Sequence, residues 1–175
     1  SYSEIRTTAL AAEESGFDSI WLYDHLLFRN EGPTAGIWEC WTTLSALAEA
    51  TKRVELGTLV LCNAFRNPAL LAKMATTLDE VSGGRLILGL GAGWHEAEYR
   101  SYGFEYPSPA TRIRQLEEAV QVIRAMWTET PATFSGRYYQ IENAYLSPKP
   151  DPMPPIMIGA SGEQLALRVV AKHAD

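Results

Sequence analysis

The stretch that decides the fold is Gly84-Arg85-Leu86-Ile87-Leu88-Gly89-Leu90-Gly91-Ala92-Gly93-Trp94. Its apolar run lacks polar alternation, which is typical of a strand buried on both faces in a parallel sheet. Glycines follow at the carboxyl end, where such sheets bind their ligands, and a helix-like segment begins at His95. We predict that Gly91 and Gly93 leave room for a flat ring against the backbone. A tight turn without a ligand is the alternative.

Helix and strand patterns alternate outward from this stretch. The predicted strands are Phe17 to Tyr23, Val54 to Cys62, Arg85 to Gly91 and Ile156 to Ile158. The predicted helices are a first helix capped by Ser3, Trp38 to Thr51, Asn67-Pro68 to Gly83, His95 to Ser101, Ser108-Pro109 to Trp127, and Glu163 towards His173. Two segments depart from the alternation, namely a polar loop from Arg29 to Gly36 and a predicted β-hairpin near 132–144.

Strands that alternate with helices form either an open doubly wound sheet or a (β/α)8 TIM barrel. A dinucleotide-binding fingerprint places its glycines after the first strand, whereas Gly91 and Gly93 follow the third. We therefore favour the α/β TIM barrel. Because a complete barrel takes about 250 residues, we expect this 175-residue chain to form about half of one, as a single partial domain over residues 1–175.

Composition narrows the classes of partner and compartment. A formal net charge of -6 without a basic stripe argues against a nucleic acid or membrane partner. Two cysteines, Cys40 and Cys62, are too few for a disulfide framework and favour the cytoplasm. No apolar run approaches the roughly 20 residues of a membrane span. Because the first residues are helix-like and no initiator methionine is present, we expect no signal peptide and a longer parent polypeptide.

Asp24-His25 follows the first predicted strand and is the leading catalytic candidate. A histidine there can move a proton near neutral pH, and an adjacent carboxylate can orient or charge it. The alternative is an aspartate that caps a loop beside a solvent-exposed histidine. His95 and His173 are expected on solvated helix faces. No metal site is predicted, because no cluster of His, Cys, Asp and Glu has metal-ligand spacing.

Gly159-Ala160-Ser161-Gly162 lies between the last predicted strand and its helix. Backbone N–H groups of a glycine-rich turn, a hydroxyl and a helix amino end together suit a phosphate, with a plain capped turn as the alternative. Cys62 is expected to be a small core residue, because no candidate base is near it in sequence. Trp94 is expected outside the core, because it directly follows the glycines at a strand end.

These features together resemble the bacterial-luciferase-like superfamily of flavin- and deazaflavin-dependent oxidoreductases. The resemblance runs in order along essentially the whole chain and is strongest to the subgroup that uses coenzyme F420. The matching segments are residues 14–21, Asp24-His25, Leu56-Gly57-Thr58, residues 67–73, residues 82–94, residues 134–139 and residues 155–159.

The resemblance implies a barrel with its cofactor at the carboxyl ends of the strands. Of that barrel the chain would form strands two to five with their helices. His25 would be catalytic, and a non-prolyl cis peptide between Leu59 and Val60 would form a bulge behind the cofactor ring. The implied cofactor-binding residues are Asp24, Leu59, Val60, Ala92, Gly93, Gly159, Ala160, Ser161 and Gly162. Trp94 and Arg29 depart from the glutamate and tryptophan of the sugar-phosphate dehydrogenases, so their substrate is not carried over.

Three functions follow as hypotheses. The first is hydride transfer between coenzyme F420 and a small organic substrate, with His25 moving the accompanying proton. The second is an FMN-dependent monooxygenase, and the third is a non-catalytic flavin-binding or structural paralogue. Because a half-barrel alone would expose two sheet edges, we expect either that the chain is a fragment or that it associates with another copy as a homodimer.

Overall fold

The computed structural model describes residues 1–28, 33–162 and 164–175. Its helices are α1 (Tyr2–Glu14), α2 (Cys40–Ala50), α3 (Pro68–Ser82), α4 (Glu96–Ser101), α5 (Pro109–Thr128) and α6 (Ala166–His173), with a 3-10 turn at Asn63–Phe65. Its strands are β1 (Ser19–Leu22), β2 (Leu27–Phe28), β3 (Ala35–Gly36), β4 (Glu55–Thr58), β5 (Leu61–Cys62), β6 (Leu86–Gly91), β7 (Ala132–Ser135), β8 (Gln140–Ala144) and β9 (Ile156–Gly159).

The central sheet is parallel and follows the order of the chain. β1 pairs with β4, β4 and β5 both pair with β6, and β6 pairs with β9. A doubly wound sheet reverses its strand order at a switch point, whereas successive strands of a barrel are neighbours. The observed order is therefore that of consecutive barrel strands, as predicted. No described helix is long and apolar enough to cross a membrane.

One apolar core lies between the sheet and the helices that cover it. Leu56 of β4 and Leu88 of β6 are fully buried in it, together with Leu44 of α2 and Ile123 of α5. The Trp127 indole N–H donates to the Ala72 carbonyl at 3.2 Å and ties α5 to α3. Burial on this scale fixes the strands, so the residues at their carboxyl ends are held in defined positions.

Local signals predicted the helix boundaries with two exceptions. Asn67 caps α3 and Gly83 ends it with φ at +73°, as expected for a left-handed C-terminal residue. The predicted cap at Ser3 is wrong, because Ser1, two residues earlier, caps the helix and forms a reciprocal capping box with Glu4. Glu163, where a helix start was predicted, lies outside the described residues, and α6 begins at Ala166.

The predictions for one strand and one loop also need correction. The strand predicted from Val54 to Cys62 is divided into β4 and β5, and the Leu59–Val60 peptide between them is cis. The predicted loop from Arg29 to Gly36 carries the short strand β3, which pairs antiparallel with β2. Residues 29–32 of that loop, including Arg29, lie outside the described residues.

The segment 132–144 forms an antiparallel hairpin of β7 and β8 that packs against α5. The Glu118 carboxylate on α5 accepts hydrogen bonds from the backbone N–H groups of Arg137 and Tyr138 at 2.9 and 2.7 Å. Because a carboxylate is a strong acceptor for several N–H donors, Glu118 anchors the turn to the helix.

Candidate active site

A cleft of about 670 Å³ opens at the carboxyl ends of β1, β5, β6 and β9. Its size is in the ordinary range for sites that bind small molecules. All of the residues assigned to the site from the sequence line this cleft, and they are His25, Asp24, Leu59, Val60, Ala92, Gly93, Gly159, Ala160, Ser161 and Gly162. The barrel fold brings these segments to one edge because parallel strands end on the same side.

Asp24 is buried beside the cleft and does not orient His25. Its carboxylate accepts the Cys62 backbone N–H at 2.9 Å and two bonds from Arg66, at 2.7 and 3.1 Å. Arg66 also pairs with Glu39, which caps α2. Asp24 therefore joins the ends of β1 and β5, and the prediction that it orients the neighbouring imidazole is wrong.

The carboxylate that orients His25 comes from Glu98 on α4. Glu98 Oε2 lies 2.9 Å from His25 Nδ1, and Glu98 Oε1 accepts the backbone N–H groups of Leu26 and Leu27 at 2.7 and 3.2 Å. The Glu98 side chain is 2% exposed, whereas that of His25 is 27% exposed. This arrangement fixes the imidazole through Nδ1, so His25 keeps its other ring nitrogen for a reacting partner.

Glu98 keeps its negative charge at neutral pH. Burial by itself raises the pKa of this carboxyl group, but the His25 hydrogen bond and the N–H groups of Leu26 and Leu27 outweigh it and lower the pKa below its ordinary value. A buried carboxylate held in this way is a strong hydrogen-bond acceptor for the imidazole that it contacts.

His95 and Trp94 complete the surroundings of His25. His95 Nδ1 lies 3.2 Å from the same Glu98 Oε2, and the His95 side chain is 23% exposed. Trp94 stacks on His95 with ring centroids 5.0 Å apart, and it meets His25 edge-on at 5.8 Å. The expectation that His95 lies on a solvated helix face is therefore wrong, whereas Trp94 lies outside the core as expected, with 69% exposure.

The glycines at the end of β6 make room for protein side chains. A Cβ on Gly93, whose φ is +73°, would lie 2.0 Å from the Tyr99 hydroxyl, and one on Gly91 would lie 2.7 Å from Val60 Cγ2. Buried Arg112 fixes this turn by donating from Nε to the Gly93 carbonyl at 3.1 Å. Internal packing therefore requires glycine at both positions, and both glycines also line the cleft, where their contact with a ligand ring stays a prediction.

The Gly159–Gly162 segment forms the opposite wall and is exposed throughout. A Cβ on Gly159 would lie 2.9 Å from Val60 Cγ2, whereas one on Gly162 would have only Ala166 Cβ nearby, at 3.7 Å. The two glycines therefore differ: Gly159 allows β9 to approach Val60, and Gly162 leaves open space in front of α6.

The structure also tests the predictions that Cys62 is a core residue and that His173 is solvated. Cys62 is buried, its Sγ lies 3.1 Å from the Tyr99 hydroxyl, and burial raises the pKa of its thiol, as a core cysteine requires. His173 was expected to be solvated, but its side chain is 10% exposed and lies 3.3 Å from Glu117, beside Lys172. His173 lies in the last turn of α6 and does not line the cleft.

The geometry fits a flat cofactor with a phosphate group. Ala92, Gly93, Gly159 and Ala160 contribute little or no side chain to the walls, so a planar ring system can approach the backbone. The Gly159–Gly162 segment offers backbone and hydroxyl groups in front of α6, where a phosphate is favoured. The cis peptide implied at Leu59–Val60 is present on the cleft wall.

Comparison with known proteins identifies the family. The family model described as luciferase-like monooxygenase matches residues 1–175. The chain belongs to this family. It is 40% identical over 168 residues to an F420-dependent glucose-6-phosphate dehydrogenase of Amycolatopsis mediterranei (strain U-32), covering 95% of this chain and 48% of that protein.

Solved structures agree on the fold. An F420-dependent secondary alcohol dehydrogenase in complex with an F420-acetone adduct matches with a TM-score of 0.80 and 34% identity, over 90% of this chain and 48% of that one. Monooxygenase RslO1 from Streptomyces bottropensis matches with a TM-score of 0.81 and 24% identity, over 98% and 51%. The chain spans about half the length of these relatives and forms about half of a luciferase-like (β/α)8 barrel.

No pattern in the sequence indicates the role of Glu98. It is separated from His25 by 73 residues and stands in a short polar helix beside the exposed Glu96, where it resembles a solvated side chain. The role of Arg112 could not be predicted either, because an arginine on an amphipathic helix is usually at the surface. Both roles arise from contacts between distant segments.

Proposed function

We propose that this chain is the half-barrel of an oxidoreductase that transfers a hydride between coenzyme F420 and a small organic substrate. The observation that carries the proposal is the His25–Glu98 pair, held at a strand end on the wall of a cleft that fits a flat cofactor. Relatives named as F420-dependent dehydrogenases, at 34–40% identity, support the choice of cofactor.

The deazaflavin supplies the hydride chemistry when it is bound, and the protein supplies position and proton transfer. Glu98 holds the His25 imidazole through Nδ1 and fixes its orientation at the cleft. His25 then gives or takes a proton through its other ring nitrogen at the cleft. Trp94 packs edge-on against the His25 ring.

The remaining site residues bind and orient. Leu59 and Val60 form an apolar wall behind the ring, and Ala92 and Gly93 form the surface along which the ring lies. Residues 159–162 receive the phosphate through backbone N–H groups and the Ser161 hydroxyl. Asp24 acts indirectly, since its bonds to Arg66 and to the Cys62 N–H hold the two strand ends together.

The test is a pair of binding titrations on the full-length polypeptide, with oxidised F420 and with FMN. We expect F420 to bind at least about tenfold more tightly, a difference of about 1.4 kcal/mol, and reduced F420 to form when an oxidisable substrate is added. Tighter binding of FMN together with oxygen consumption would replace the proposal by the monooxygenase hypothesis. Binding without turnover would favour the non-catalytic hypothesis.

A homodimer in the cytoplasm is proposed with this function. A groove between α2 and α3 is lined by Trp41, Leu70, Met74 and Val81, and Leu70 and Val81 are 56% and 49% exposed. A second copy of the same apolar surface is a suitable cover for it. Free, buried Cys40 and Cys62 suit a reducing compartment. Sedimentation should give twice the monomer mass, and Leu70→Lys should shift it towards the monomer.

A further inference from the structure

Three potential metal ligands meet at one point on the cleft wall. The ligand atoms of His25, His95 and Glu98 all lie within 4.8 Å of one another. Glu98 Oε2 is 2.9 Å from His25 Nδ1 and 3.2 Å from His95 Nδ1. Neighbouring ligands of a tetrahedral zinc ion, with bonds of about 2.0–2.1 Å, are about 3.3 Å apart. The separations to Glu98 are thus close to those that a bound ion would need.

We propose that His25, His95 and Glu98 form a binding site for a divalent transition metal ion of the Zn²⁺ type. Two imidazole nitrogens and one carboxylate oxygen are a common protein ligand set for such an ion, with a further position left for water or substrate. Because His25 and His95 are partly exposed and line the cleft, an ion has a path from solvent to the site.

The surroundings of the three ligands suit the ion as well. The Leu26 and Leu27 N–H groups hold Glu98 Oε1, which leaves Oε2 facing both imidazoles. Such outer hydrogen bonds orient a metal-binding carboxylate. The stacked Trp94 ring holds the plane of His95. The site is therefore largely preformed in the protein.

Binding of the ion would inhibit the reaction proposed above, and this second step rests on the proposed function. The ion would bind Nδ1 of both histidines as their neutral Nε2–H tautomers, so each Nδ1 proton that faces Glu98 would pass through solvent to Nε2 or, from a doubly protonated ring, be released to water, with no redox change. It would replace the hydrogen bond through which Glu98 orients His25. His25 would then hold its Nε2 proton and would no longer exchange it with a substrate.

The test of binding needs no cofactor. The full-length polypeptide is stripped with a chelator and titrated with Zn²⁺ by calorimetry, and with Co²⁺ by visible absorption. We expect one ion per chain and intense Co²⁺ bands typical of low coordination number. His95→Asn should weaken binding by at least roughly 100-fold, the upper end of what loss of a single outer-shell partner costs. Glu98→Gln should do the same.

A matched control comes from the other histidine paired with a carboxylate. His173→Asn removes the imidazole beside Glu117 and should leave Zn²⁺ binding unchanged. Thermal unfolding of each variant checks that it is folded, and His95→Asn is the decisive one because His95 is partly exposed. Absence of Zn²⁺ binding in the parent protein, or equal binding in His95→Asn, would overturn the site.

The activity measurement separates the two steps. Zn²⁺ should inhibit F420 turnover in the parent protein at the concentrations at which it binds. Binding without inhibition would overturn the inhibitory step and leave the site in place. Binding in a protein that shows no F420 turnover under any condition would count against the proposed function alone.

Discussion

Asp24 and Glu98 are both almost fully buried beside the same cleft, yet their partners give them different roles. Asp24 bonds to the permanently charged Arg66 and to a backbone N–H. Glu98 contacts the imidazoles of His25 and His95, and an imidazole is a side chain that can give or take a proton in catalysis. The carboxylate next to His25 in sequence therefore stabilises the strand ends, and the distant one acts on the imidazole.

The largest effect should come from removing the group that Glu98 orients. We expect His25→Ala to lower turnover by roughly 10²–10⁴, the usual contribution of a positioned acid or base, with cofactor affinity nearly intact. Steady-state kinetics and an F420 titration measure the two quantities separately.

His173→Ala is the control, because it also removes a histidine paired with a carboxylate but lies away from the cleft. Its turnover should equal that of the parent protein. Lost cofactor affinity with normal turnover at saturation would make His25 a ring-packing residue. Full activity of His25→Ala would remove it from the mechanism.

Removal of the Asp24 carboxylate should mainly lower the stability of the fold. We expect Asp24→Ala to reduce the free energy of unfolding by about 3–5 kcal/mol, because Arg66 would be left as a buried charge with one partner fewer. Chemical denaturation of the full-length polypeptide measures it.

The matched control for Asp24 is Lys172→Ala, which breaks the solvent-exposed pair with Glu117 and should cost about 1 kcal/mol or less. If the two variants are equally stable, Asp24 has no structural role, and its burial would need a different explanation.

The same contrast between local and distant contacts explains what the sequence could predict. The strand and helix order, the α3 boundaries and the Gly159–Gly162 turn depend on patterns a few residues long, and the structure contains them at or near the predicted positions. The resemblance, rather than spacing, supplied the cis peptide at Leu59–Val60. The assigned residues meet in one cleft because parallel strands end on one side.

The partners of those residues could not be predicted in the same way. Whether His25 contacts Asp24 or Glu98 depends on how α4 packs against the end of β1, a contact that spans 73 residues. The break between β4 and β5 and the partly buried position of His95 beside Glu98 also depend on tertiary packing. The sequence also does not indicate why position 93 is a glycine, because the hydroxyl that a Cβ there would meet belongs to Tyr99 on α4.

A conservative change at Glu98 sharpens the comparison. Glu98→Gln keeps an oxygen for the Leu26 and Leu27 N–H groups, but it places an amide N–H₂ in place of the charged oxygen against His25. A hydrogen bond to a charged group is worth about 1.5–3 kcal/mol, so kcat should fall by about 10–100-fold. The KM of the substrate should stay nearly constant, because both Glu98 oxygens are already engaged by the Leu26 and Leu27 N–H groups and by the imidazoles.

A purely structural role for Glu98 predicts a different pattern. In that case Glu98→Gln would lower the thermal midpoint as Asp24→Ala does, and the kcat of the folded fraction would equal that of the parent protein. Measuring kcat together with the fraction of active sites distinguishes the two outcomes.

The smallest expected effect concerns the part of the cleft wall that residues 159–162 form. A Cβ on Gly159 would lie 2.9 Å from Val60 Cγ2, whereas one on Gly162 would make only an ordinary 3.7 Å contact with Ala166. Because the extra methyl of Gly159→Ala pushes Val60 along the cleft wall, F420 affinity should fall by up to about tenfold, or about 1.4 kcal/mol, at the lower end of overpacking costs. Gly162→Ala should change it less than about twofold, since its methyl enters open space. A titration of both variants with F420 measures the difference. If Gly162→Ala were the weaker binder, the close approach of the phosphate to residues 159–162, and not the position of Val60, would govern affinity on this side of the cleft.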